Sequence, residues 1–313
     1  MDRGVVRRML QLAAVAGDDV LAQNAIKLNA QAGHALDSFE YGCWMRACVS
    51  NNRNDVIGAL EALISASTEG VSMFTETEDW SASSGLQLQE GLALSLSRSA
   101  RMLDNVYFAL VDLVRGDYRV PPMALHAIIM ASGQNGKLDR SFATFAEMES
   151  LFGLQLDIHT YNALLWANAK CMTRFKGCDL EVMFSILEKI DAAGFRANSQ
   201  TFDILLSCMV ELATKEHHHH SIAWEVDVKG AQPIDGLDHV LSMAAECGAV
   251  LKPGTLRSLI RALAEVGDWE RTEALIAILE AQVGEDNIPK FFLQQIDDIS
   301  KDFQKQAQEQ EEG

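Results

Sequence analysis

A helical motif recurs along this chain about every 35 residues, and this recurrence limits the possible folds more than any other feature of the sequence. The stretch HTYNALLWANAK, which begins at His159, puts its apolar residues on one helical stripe. A turn and a second apolar stripe follow it. This unit of two apolar stripes joined by a turn occurs seven times. We call the residue that marks the start of each unit its head. The heads are Val6, Tyr41, Glu90, Leu125, Tyr161, Phe202 and Leu256.

The spacing between heads distinguishes a true repeat from an irregular helical bundle. Successive heads are 35, 49, 35, 36, 41 and 54 residues apart, so three spacings are tight and three contain insertions. Asp104 and Asp139 are also 35 residues apart, and Asp55 has the matching position in an earlier unit. A unit of two helices cannot bury its apolar face alone, whereas stacked units bury it together. The sequence therefore predicts an all-α solenoid of about seven helix-turn-helix units.

Composition excludes several classes of protein. Low proline, 5 residues in 313, favours helix, and the formal net charge of −18 is the wrong sign for a protein that simply coats nucleic acid. The six cysteines form no C-x-x-C pair, which indicates buried thiols in a reducing compartment. No apolar run is long enough to cross a bilayer, so we expect no membrane partner.

The insertions define the expected domain organisation. Repeats are predicted over 1–65, an acidic Ser/Thr-rich loop over 66–88, further repeats over 89–285, and a capping helix with an acidic tail over 286–313. Two insertions, at 171–178 and 214–233, interrupt the second set of repeats.

Candidate chemistry is sparse. Four consecutive histidines, 217–220, could attract a metal ion, but adjacent side chains on a loop do not converge on one point. The sequence contains no phosphate-binding glycine loop, nucleophile elbow or deaminase motif. We therefore expect no catalytic residue, no metal site, no cofactor and no small-molecule substrate.

The C-terminal segment is predicted to form an amphipathic helix, and its apolar face has two possible roles. Its apolar face consists of Phe292, Ile296, Ile299 and Phe303. This face could cover the last repeat, as an open solenoid requires, or it could bind in the groove of a partner protein.

Several of these stretches resemble pentatricopeptide repeats. The resemblance is carried by HTYNALLWANAK, by the turn and helix GKLDRSFATFAEMES, and by the exit loop LEKIDAAGFRAN. It implies a right-handed superhelical solenoid in a mitochondrion or plastid. It also implies a role with single-stranded RNA, which such repeats read at one base per unit.

In the family, the base is read by the residue after the head and by the last residue of the repeat. The matching pairs in this chain are Asn162 with Asn198, and His126 with Asp157. The corresponding residues of the other units do not fit the family's usual choices. The resemblance thus implies a non-catalytic adaptor of organellar RNA metabolism that binds or associates with single-stranded RNA. The alternative is a protein-interaction scaffold or assembly subunit with no direct RNA contact.

Overall fold

The computed structural model describes residues 2–49, 55–71, 84–175, 180–215, 225–226, 234–284 and 287–311. These residues form fifteen helices and two short strands. The helices are α1 (Arg3–Ala16), α2 (Asp19–Gln31), α3 (Ser38–Val49), α4 (Val56–Thr68), α5 (Ser84–Ser97), α6 (Ala100–Arg115), α7 (Pro122–Gln134), α8 (Leu138–Ser150), α9 (Ile158–Arg174), α10 (Leu180–Ala192), α11 (Ser199–Lys215), α12 (Gly236–Glu246), α13 (Pro253–Glu265), α14 (Trp269–Val283) and α15 (Lys290–Glu311). The strands are β1 (Glu225–Val226) and β2 (Ile234–Asp235).

Helices α1 to α14 form seven consecutive pairs, so the predicted all-α class and its two-helix repeat are confirmed. The odd-numbered member of each pair, here called the first helix, contains the head residue, and the even-numbered member is the second helix. The head is the fourth residue of every first helix except α5, where Glu90 is the seventh. An antiparallel pairing of β1 with β2, inside the insertion between α11 and α12, is an exception to the helical architecture.

Short polar side chains set the start of several second helices. Asp18, Asp55 and Asp268 each accept a hydrogen bond from a backbone N–H of the first turn, at 3.0, 2.9 and 3.2 Å. Such caps satisfy donors that have no partner inside the helix. Asp104 and Asp139, which the sequence placed in phase with Asp55, instead lie inside α6 and α8. Their spacing reflects the repeat of the helices and not a shared capping role.

The chain divides into two compact units, an N-terminal unit of Met1–Ala167 and a C-terminal unit of Asn168–Gly313. In the N-terminal unit, α1 packs on α3, α3 on α5 and α5 on α7. Every residue of α7 from Met123 to Gln134 is buried, which makes this helix the centre of the unit. In the C-terminal unit, α13 packs against α11, α14 and α15.

The described helices extend into the predicted loop and insertions. Helix α4 continues to Thr68, with Ala66 on its buried face, so it extends into the first residues of the segment 66–88 that was predicted as a loop. Helix α5 begins at Ser84, and residues 72–83 lie outside the described part of the chain. Helix α9 likewise continues past Cys171, whose side chain is buried, into the insertion at 171–178. The four histidines lie outside the described residues.

Helix α15 covers the last helix pair through the face that the sequence identified. Phe292 and Ile296 are buried, and Ile299 is half-buried. The ring of Phe303 lies 6.2 Å from that of Trp269, centroid to centroid, and contacts the position of Gly267. Three of the four residues proposed to bind a partner therefore pack within the chain, whereas Phe303 is 40% exposed. A role in partner binding stays a prediction.

The close contact between α7 and α9 generates a stability prediction. A Cβ atom built at Gly133 would lie 2.3 Å from the carbonyl oxygen of Ala167, a backbone atom that no rotamer change can move. We expect Gly133→Ala to lower the free energy of unfolding by about 1–3 kcal/mol, although alanine favours helix over glycine by about 1 kcal/mol.

Urea unfolding of the full chain measures this change. Gly254→Ala is the matched control, because Gly254 also lies in a first helix and has no neighbouring atom within 4 Å of the added Cβ. Stability of the Gly133→Ala variant equal to that of Gly254→Ala would show that the two helices are not in contact at this point.

Candidate nucleic-acid interface

The two positions predicted to read a base have fixed places in the repeat. The residue after the head is the fifth residue of every first helix except α5. The last residue of the repeat lies directly before the next first helix, at its N-terminus. His126 and Asp157 belong to one such pair of positions, and Asn162 and Asn198 belong to the next.

His126 is bonded through Thr160 to Asp157, the residue that was predicted to read a base with it. Its Nε2 atom lies 3.0 Å from the hydroxyl of Thr160. That hydroxyl donates to Asp157 Oδ1 at 2.7 Å, and the Thr160 backbone N–H donates to the same oxygen at 2.8 Å. Because the hydroxyl proton goes to Asp157, the hydroxyl accepts from Nε2, which assigns the imidazole proton to that nitrogen. The two predicted reading positions are thus joined inside the protein.

Burial keeps His126 neutral. Its side chain has 0% exposure, and this burial lowers the pKa of His126 to about 4. Asp157 acts in the opposite direction, and His159 adds to the lowering. A neutral imidazole whose Nε2–H is already donated inside the protein has no exposed edge for a nucleobase.

The same connection recurs between α11 and α13. Asp203 follows the head Phe202, and its Oδ1 accepts a hydrogen bond from the backbone N–H of Lys252 at 3.1 Å. The Lys252 ammonium lies 3.7 Å from the other carboxylate oxygen. Burial raises the pKa of Asp203, and its bonds to Lys252 work against that rise. Lys252 is the residue before α13, so it has the place in the repeat that Asp157 has before α9.

A more exposed version joins α1 to α3. Arg7 follows the head Val6 and donates to Asp37 Oδ2 at 3.1 Å. Asp37 and Glu40 form a reciprocal cap, in which each side chain accepts from the other's backbone N–H at 2.8 and 2.9 Å. Three junctions therefore use one arrangement, in which the residue after the head binds the N-terminus of the next first helix.

The asparagines predicted to read a base have different surroundings. Asn162, in the N-terminal unit, has 0% exposure. Asn198, in the C-terminal unit, is half-buried, and its Oδ1 accepts from the backbone N–H and the hydroxyl of Thr201 at 3.1 and 3.0 Å. Its amide oxygen therefore serves as the N-cap of α11. RNA readout by these two residues stays a prediction.

One polar contact in the N-terminal unit was not expected from the sequence. The indole Nε1 of Trp166 donates to Glu90 Oε1 at 3.1 Å, which connects α5 to α9 past the buried α7. The sequence showed Glu90 only as a charged residue at an apolar position of the repeat. A tryptophan five residues after the head Tyr161 was the available signal for its partner, but the two residues are separated by 76 positions in sequence.

The described residues offer no obvious alternative chemistry. No group of three or more histidine, cysteine or carboxylate side chains among them converges as a metal site would. None of the described helices has the length and apolarity needed to cross a membrane. The prediction of buried thiols is confirmed for Cys43, Cys48, Cys171 and Cys208, whereas Cys247 is half-buried and Cys178 lies outside the described residues. Burial raises the pKa of Cys48 to about 12.

The buried imidazole generates a pH prediction. The pKa of His126 is about 4 in the folded chain against 6.5 for an unperturbed histidine, so the unfolded state takes up the proton first as pH falls. The stabilisation by the neutral form is complete above about pH 6.5 and is lost as pH falls towards 4. Between pH 7.5 and 5 we expect His126 alone to remove roughly 2 kcal/mol of the free energy of unfolding.

Urea unfolding at the two pH values, for the wild type and for His126→Gln, measures this contribution. Glutamine can donate to Thr160 but does not titrate, so the variant should lose less stability than the wild type on acidification. An identical loss in both proteins would contradict the burial of His126.

Part of the chain is similar to a known protein family. Residues 3–148 match the family model described as pentatricopeptide repeat-containing protein. A mitochondrial pentatricopeptide repeat-containing protein of Arabidopsis thaliana is 33% identical over 105 residues, which are 33% of this chain and 16% of that protein.

Solved structures of the pentatricopeptide repeat protein PPR10 also align with the chain. PPR10 in complex with an 18-nt psaJ RNA element gives a TM-score of 0.49 at 14% identity, over 96% of this chain and 37% of that one. PPR10 from maize gives a TM-score of 0.31 at 17% identity, over 92% of this chain and 44% of that one. The chain thus spans a minor part of the length of each of these proteins.

The family match ends inside α8 and so covers the first four helix pairs. The three pairs that follow keep the head at the fourth residue of the first helix. Residues 3–148 are therefore similar to pentatricopeptide repeats, and the helix pairs that follow continue the same two-helix repeat.

Proposed function

We propose that this protein is a non-catalytic adaptor in organellar RNA metabolism that associates with single-stranded RNA without reading its bases. The observation that supports this proposal is the pairing of the predicted reading positions with each other. His126 is bonded to the cap of α9, and Asp203 is bonded to the N-terminus of α13. A base would have to break these buried contacts before it could be recognised.

The similarity of residues 3–148 to pentatricopeptide repeats supports the RNA part of the proposal, and the mitochondrial Arabidopsis relative supports an organelle. Association without readout requires only contacts with phosphates. Arg46 of α3 is exposed. Arg7 of α1 already donates to Asp37 and so suits a phosphate less well. We propose the guanidinium of Arg46 as a phosphate contact.

The second candidate is a protein-interaction scaffold with no RNA contact. The net charge of −18 favours it, because the overall field repels a polyanion. The two candidates differ in what the chain does with RNA at moderate salt.

Binding of the purified full chain to a random single-stranded RNA pool, titrated with potassium chloride from about 50 to 200 mM, separates these candidates. We expect weak binding that shows no sequence preference and decreases with salt. Arg46→Gln should reduce the slope of log K against log salt by about 0.7, the value for one phosphate of a single strand. Arg101→Gln, an exposed arginine in the second helix α6, is the matched control and should leave the slope unchanged.

A further pair of variants tests readout. Asn198→Asp keeps an oxygen to cap α11 and removes the amide N–H donors, whereas Asn198→Ala also removes the cap. Sequence-selective binding that Asn198→Asp or Asn162→Ala abolishes would establish base reading and overturn the proposal. Absence of binding at every salt concentration would leave the scaffold as the function.

A further inference from the structure

We propose that the groove between α10 and α12 binds a basic amphipathic helix of a partner protein. This inference concerns protein recognition and does not depend on whether the chain binds RNA. The groove has a volume of about 800 Å³ and lies entirely within the C-terminal unit. None of its lining residues takes part in the junctions described above.

The groove lies between two second helices. The ring of Phe184 on α10 lies 5.9 Å from the ring of His239 on α12. Arg196, which follows α10, donates to the backbone carbonyl of Glu246 at 2.7 Å. These two contacts connect α10 and the residues after it to α12.

Apolar side chains form the floor. Leu187 and Ile190 of α10 are buried beneath the groove, and Phe184 and Met243 are half-buried along it. An apolar floor between two helices favours the apolar face of a third helix, which contributes side chains at steps of three and four residues. Helix α10 has 13 residues, a length of roughly 20 Å at 1.5 Å per residue, so it offers room for about three helical turns.

Carboxylates form the rim. Glu181, Glu188 and Asp191 of α10 and Glu246 of α12 are exposed and line the groove. The guanidinium of Arg196 is the only lysine or arginine group among the lining residues, and it is engaged by the Glu246 carbonyl. Lysine or arginine flanking an apolar stripe would meet opposite charge on this rim, whereas an acidic helix or a nucleic acid would be repelled. Charge complementarity therefore selects a basic amphipathic helix.

The test uses synthetic peptides and the full chain. The probe is a fluorescent peptide of about 14 residues, with leucine at positions i, i+3/4 and i+7 and lysine on both flanks of the stripe. Two controls replace every lysine with glutamate, or scramble the order so that the stripe is lost. Fluorescence anisotropy at moderate salt should show saturable binding of the basic peptide and none of either control.

Substitutions on the rim locate the site. Glu181→Lys with Glu188→Lys should weaken binding of the basic peptide by about tenfold or more, since two attractions become two repulsions. Glu273→Lys, which makes the same charge change at an exposed position of the second helix α14, is the matched control and should have little effect. Circular dichroism of each variant confirms that the helices remain folded.

Three results would overturn the proposal. These are failure of the basic peptide to bind, equal binding of the acidic peptide, and undiminished binding by the Glu181→Lys, Glu188→Lys variant. Sedimentation of the chain without peptide tests whether the groove is filled by a second copy. A dimer that the same rim substitutions dissociate would assign the groove to a second copy of this chain.

Discussion

The backbone N–H groups in the first turn of each first helix have no partner inside that helix. The contacts that satisfy these groups also connect one repeat to the next. Asp37, Asp157 and Asn198 cap α3, α9 and α11 with their own side chains. The preceding first helix also contributes to this place, through Arg7 and His126. Since one junction serves both helix capping and contact between repeats, neither requirement can change without the other.

This arrangement leaves the side chain after the head unavailable for reading a base. A repeat that reads RNA must keep the side chain after the head open to a base, whereas here that side chain supports the next repeat. The side chains of His126 and Asp203 are buried, so exposing either group to a base would break its hydrogen bonds in the folded state. The surfaces that we propose for partners are the exposed Arg46 of α3 and the groove between α10 and α12. The proposed adaptor role requires only such surfaces and no base reading.

The sequence predicted the positions of all seven helix pairs, because the apolar stripe and the insertion lengths are local properties. It could not predict the burial of His126 or Asn162, because burial depends on helices that lie about one repeat away in the chain. It also placed Asp104 and Asp139 as equivalents of the cap Asp55, since a spacing of 35 does not show where a helix starts.

A double-mutant cycle on His126 and Thr160 tests most directly whether the residue after the head supports the next repeat. His126→Leu and Thr160→Val each remove the hydrogen bond between the two side chains while keeping a similar volume, and Asp157 still caps α9 through the Thr160 backbone N–H. Urea unfolding of the wild type, the two single variants and the double variant gives the coupling free energy. Our account predicts a coupling of about 1 kcal/mol or more, because the bond is buried. Effects that add to within about 0.3 kcal/mol would show that the two repeats are not joined at this position and would contradict the account.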